Sequence, residues 1–136
     1  MLIGADDGVA PIVDIAQQLR DRRDAQWQPL VLLSLDPPAA FRPRPSTILI
    51  PGMPEGAIAC HPTLDDLGIA SRLASSAGYP GCFDGDVAEL AASWLRSLDA
   101  SALGEIEILA CGSAATLAAV AAVAQQFELP LQLNRS

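Results

Sequence analysis

The opening stretch, Met1-Leu2-Ile3-Gly4-Ala5-Asp6-Asp7-Gly8-Val9-Ala10-Pro11, constrains this chain most: a short apolar strand breaks into a glycine-bounded loop and then enters a helix. Gly4 and Gly8 permit a backbone conformation or a close approach that a Cβ hinders. Pro11 fits the first helical turn, where its missing N–H breaks no hydrogen bond. Ile12, Ile15, Ala16 and Leu19 recur at helical spacing and carry the helix to about Arg23. The unpaired amides and positive dipole end of such a helix suit an anion such as phosphate. Asp6 and Asp7 lie in the same loop, as caps of the helix or as charges opposed to a pyrophosphate.

The same unit returns downstream. Leu30-Val31-Leu32-Leu33 is a continuous apolar run, as a parallel strand covered on both faces requires. It ends in Ser34-Leu35-Asp36, where an acid either turns the chain before Pro37-Pro38 or bonds a ribose hydroxyl as in dinucleotide folds. Alternate prolines make Phe41 to Pro45 an extended surface segment, with Arg42 and Arg44 solvated or within reach of a phosphate. Thr47-Ile48-Leu49-Ile50 reads as a strand at a sheet edge or in a local hairpin, and Ala57 to Leu67 as a short helix interrupted by Pro62. Cys60 and His61 are adjacent there, so on a helix they point to different sides and form no catalytic dyad. Ser71 to Ser75 is a strand, and Gly78 to Gly85 a glycine-rich loop that Asp84 closes as a helix cap. Val87, Leu90, Ala91, Trp94 and Leu95 mark the apolar face of the next helix. The last third repeats the pattern: a strand Ile106 to Ala110, a tight turn Cys111-Gly112-Ser113, an alanine-rich helix from Ala114 to about Phe127, and a strand from Leu129 to Leu133.

Strands alternating with helices predict one α/β domain spanning residues 1–136, a three-layer αβα Rossmann-like fold on a mostly parallel sheet of five or six strands. Only 4% of residues are aromatic against 51% hydrophobic overall, so Ala, Leu, Val and Ile build the core. Sixteen acids face eight arginines and no lysine, a net charge of −8 that argues against a nucleic-acid partner. Three widely spaced cysteines argue for a reducing, cytoplasmic setting and against a structural metal. No apolar run approaches the roughly 20 residues of a membrane span, and no basic leader is visible.

Taken together, the two turns resemble those of the nucleotide-binding domain of the ferredoxin–NADP reductase superfamily. There the first strand leads to a glycine-rich loop ending in Gly-Val/Ile-Ala-Pro, as in Gly8-Val9-Ala10-Pro11, and a later strand ends in Cys-Gly-Pro-x-x-Met, matched in part by Cys111-Gly112-Ser113. Gly81 to Leu90 looks like the family's glycine segment entering its penultimate helix. The ending Leu129 to Ser136 is most similar to the electron-transfer subunit of the two-subunit dihydroorotate dehydrogenases.

The resemblance implies that NAD or NADP is positioned for hydride transfer to FAD or FMN on a flavin-binding domain absent from this chain. An iron–sulfur segment would be absent as well, and a dehydrogenase catalytic subunit is a further partner. A central strand that starts at the first residue agrees with a chain cut from something longer. The cofactor set implied is Gly4, Ala5, Gly8, Val9 and Ala10 in the first loop, Ser34 and Asp36 after the second strand, and Cys111, Gly112 and Ser113 in the later turn. First-loop amides near Gly4, Gly8 and Val9 would face the pyrophosphate, and Cys111 with Gly112 would lie near the nicotinamide, Cys111 as a packing group. No basic cluster follows Ser34, which favours NAD, while Arg42 and Arg44 leave NADP open. The chain departs from the family pattern at Asp6-Asp7 and in the later turn, where Ser113 replaces the proline and the methionine is missing. Asp6-Asp7 and the proline–arginine segment Phe41 to Pro45 support a second expectation, a degenerate copy of the fold that serves as a docking or scaffold domain.

Overall fold

A computed structural model describes residues 1–21 and 29–135. The opening unit forms as expected: β1 (Leu2–Gly4), a 3₁₀ turn over Asp6–Gly8, and α1 (Val9–Asp21). Arg22 and Arg23, assigned to the end of this helix, lie outside the described residues. The chain continues through β2 (Leu30–Ser34), β3 (Arg44–Pro45), β4 (Ala59–Cys60), α2 (Pro62–Asp66), β5 (Ala70–Ser75) and β6 (Phe83–Asp84). It ends with α3 (Val87–Arg96), α4 (Ala100–Leu103), β7 (Ile108–Gly112), α5 (Ala114–Gln126) and β8 (Leu131–Arg135).

Six strands make one sheet in the order β6-β5-β2-β1-β7-β8, and every pairing in it is parallel. From β1 the chain first runs outward through β2 and β5, then returns to place β7 on the other side of β1. The order therefore reverses between β1 and β7, the place where open α/β sheets form a crevice at the carboxyl ends of their strands.

Register explains how one short apolar run serves two cores. Ile3 pairs with Leu32 and Ala110, and all three face the layer made by α3 and α5. Leu2 pairs with Val31 and Leu109, and these face α1 and α2, where Ile12, Ala16 and Leu64 meet them. Successive side chains of a strand point to opposite faces, so a strand covered on both sides has no polar alternation to show.

The segment between β2 and β5 departs from expectation. Thr47 to Ile50 is not a strand; it begins an irregular strap tied to β5, whose outer edge β6 covers only at Ala74 and Ser75. Two buried charged residues hold it. On the α2 side, the Asp65 carboxylate accepts hydrogen bonds from Ser46 Oγ (2.6 Å), Thr47 Oγ1 (2.9 Å) and Thr47 N (3.3 Å). On the α3 side, Arg72 donates to the carbonyls of Ala57 (3.1 Å) and Ile48 (2.5 Å), and Trp94 Nε1 donates to Pro51 O (3.1 Å). Backbone groups that a sheet partner would have satisfied are taken by side chains instead.

Three other elements are corrected. The stretch Ala57 to Leu67 splits into β4 and α2, because Pro62 suits the start of a helix and not its interior. Arg44, read as part of a solvated linker, sits in the β3–β4 ribbon and pairs with Asp66 and Asp65. The last two strands sit two residues later than expected, so Cys111 and Gly112 belong to β7 and the turn falls at Ser113.

Candidate functional site at the carboxyl edge of the sheet

The first and last turns meet, as the fold requires at the switch point. Ala5 N donates to Cys111 O (3.1 Å), and Gly8 packs so closely on β7 that an added Cβ would fall 2.1 Å from the same oxygen. Their meeting seals the loop. Gly8 N donates to Ala5 O (2.8 Å), Val9 N to Asp6 O, and Asp6 N to Ser34 Oγ (3.2 Å). The amides of Gly8 and Val9, expected to face a pyrophosphate, are thus engaged within the protein. Gly4 is buried in β1 between Leu33 and Cys111, and Ala10 lies exposed on α1. Cys111 is buried among the α1-side residues, and Gly112 packs against Ala5 O and Thr116.

Neither Asp6 nor Asp7 caps the helix through its side chain. Asp6 instead takes φ +54°, a left-handed conformation that aspartate tolerates better than most residues. Both carboxylates are exposed.

The open space lies to either side of this seal. A cleft of about 190 Å³ on the α3–α5 side is lined by Ala5, Asp6, Ser34, Asp36 and the first turns of α3 and α5. A second hollow, of about 400 Å³ on the α1 side, shares Asp6, Ser34 and Asp36 with it and adds Asp7, Val9 and the Pro37–Phe41 wall. Ser34 and Asp36, singled out at the end of the second strand, stand where the two meet.

Three participants escaped the sequence reading: Asp86, Val87 and Ala88 at the start of α3. Asp86, not Asp84, caps that helix, accepting from Glu89 N at 2.8 Å, while Asp84 belongs to β6. The acid-x-x-Glu pattern of Asp86 and Glu89 was the available signal. Ser113 caps α5 by accepting from Thr116 N (3.4 Å). Each cap satisfies the third amide of its helix, which leaves the first two, Val87 and Ala88 in one and Ala114 and Ala115 in the other, projecting from the helix end as first-turn amides do. Two positive helix ends therefore converge on a cleft rimmed by Asp6, Asp36 and Asp86.

The Cys60–His61 pair carries no catalytic geometry. Burial and the neighbouring Asp65 carboxylate push the Cys60 thiol up, which keeps it protonated. His61 packs against Phe41 in a tilted arrangement, ring centroids 4.4 Å apart, and its Nδ1 accepts from Leu64 N to cap α2. Burial lowers its pKa below the ordinary histidine value. Among the described residues no group of three His, Cys, Asp or Glu side chains could hold a metal, and no helix is long and apolar enough to cross a membrane.

No family model, curated protein or solved structure matches this chain.

Proposed function

We propose that this chain is the pyridine-nucleotide domain of a flavoprotein reductase or electron-transfer subunit, with NAD favoured over NADP. The observation that carries the reading is the position of Ser34 and Asp36 on a cleft at the switch point of an all-parallel sheet. A carboxylate there accepts hydrogen bonds from a ribose diol and repels a 2′-phosphate. With the first-loop amides engaged, the pyrophosphate rests against the first turns of α3 and α5, whose dipoles offset part of the acidic rim. The cleft is below the roughly 300 to 1,000 Å³ of a complete small-molecule site, so it fits half of a dinucleotide. The nicotinamide half then extends onto the flavin-bearing partner. When bound, NADH supplies a hydride to that partner's flavin; this chain's residues hold and orient the nucleotide.

Calorimetric titration with NADH and NADPH tests the reading. NADH binding tighter than NADPH is expected, and silence for both up to roughly 1 mM overturns it. A degenerate, non-binding domain is favoured by one observation, the closure of Gly8 on Cys111 beside Asp6 and Asp7. Binding that emerges only in the Asp6→Gly/Asp7→Gly variant would establish that second reading.

A further inference from the structure

A groove of about 580 Å³ runs between α3 and α5 and adjoins the cleft at Asp86, Ala88 and Ala119. Its α5 wall is unusual for a helix exposed to water. The exposed residues of α5 are Ala114, Ala115, Ala118, Ala122, Gln125 and Gln126, of which Ala122 and Gln126 line the groove, and none of the helix's 13 residues is charged. A surface helix ordinarily turns a charged face outward; a helix without one is covered by something. The α3 wall identifies what covers it. Glu89 stands toward the amino end of α3 and Arg96 at its carboxyl end, both exposed, and among the described residues neither makes an ion pair within the chain. Ser93 lies between them on the same wall.

We infer that the α3–α5 face pairs with the same face of a second copy of this chain about a two-fold axis near Ser93. Glu89 and Arg96 are seven residues apart, about 10 Å along the helix. A two-fold through their midpoint reverses α3 against its mate and sets each Glu89 opposite the other copy's Arg96, so one contact is made twice. The alanines of α5 let the helix backbones approach closely, and no like charge on α5 opposes them. The inference is independent of the nucleotide reading, because Glu89 and Arg96 line the groove and not the cleft.

Sedimentation of the chain between about 1 μM and 1 mM, with the charges exchanged one at a time and then together, is the test. The wild type should pass from 14.2 kDa to twice that mass as concentration rises. Glu89→Arg alone and Arg96→Glu alone should each weaken association at least about tenfold, since each places like charges in contact. The double exchange should restore it. Both sites are exposed, and circular dichroism verifies that the three variants remain folded. A wild type that stays at the single-chain mass throughout, or a double exchange that stays dissociated, overturns the inference.

Discussion

At Gly8 an added Cβ would lie 2.1 Å from the carbonyl oxygen of Cys111 and 2.7 Å from the nitrogen of Gly112, both backbone atoms held by strand pairing. Neither can retreat without opening the sheet. Gly8→Ala is therefore expected to destabilise the fold by about 3 kcal/mol, at the upper end of ordinary overpacking, in urea unfolding followed by circular dichroism. Gly4, with nothing nearer than 3.0 Å, should tolerate alanine better, so equal losses at the two positions would contradict the contact geometry. The need for glycine at both positions was legible in the opening residues; its reason was not, because the atoms that exclude a Cβ at Gly8 come from a strand a hundred residues away. Asp36 is exposed and tolerant of change, so its substitution reports on ligand alone. Asp36→Ser should narrow the preference for NADH over NADPH by about tenfold, the order expected for removing one solvent-screened carboxylate near a phosphate. An unchanged ratio in calorimetry would place the ribose elsewhere.

The elements that were legible are those whose apolar pattern is local: α1, α3, α5 and the runs of β2 and β7. The strap from Ser46 to Ala57 was not, because Thr47-Ile48-Leu49-Ile50 has strand composition while its fate depends on Arg72 and Asp65, residues distant in sequence. Leu49 is 87% exposed, which no reading of an apolar run would suggest. The same dependence makes the strap separable. Arg72→Met removes the donors from the carbonyls of Ile48 and Ala57 and should cost about 2 kcal/mol, with faster amide exchange confined to the strap. Asp65 gives the other anchor a pH signature. Burial alone pushes its carboxyl up, but the hydrogen bonds from Ser46 and Thr47 outweigh this and leave it below the ordinary value of 3.8. A lowered folded-state pKa means that the stabilisation is complete above the unfolded value and fades as pH falls through the folded one. The stability difference between wild type and Asp65→Asn should therefore be constant near neutrality and shrink below about pH 4. A difference that widens in acid would mean that Asp65 is held in its protonated form.

For the molecule as a whole, on the proposed reading, a sealed first loop and a small cleft would divide the labour of binding between this chain and a flavin-bearing partner. Ala5, Gly8, Cys111 and Gly112 meet at the switch point, but they make a wall between two hollows and not a mouth. The cleft that remains open is lined by Ser34, Asp36 and the helix ends of α3 and α5, and the proposed reading assigns it to a ribose and its phosphates. Affinity of this chain alone should then be insensitive to the nicotinamide ring, because a group left in solvent adds no binding free energy. Calorimetry with ADP-ribose and NADH should give dissociation constants within about threefold of each other. If the proposal holds, joining a flavin-bearing partner should separate them, with NADH alone gaining affinity, since only then does the ring acquire a surface to pack on. An advantage of tenfold or more for NADH on the isolated chain would instead mean that this domain carries its own nicotinamide site, and that Cys111 and Gly112 open toward the ligand in the bound state.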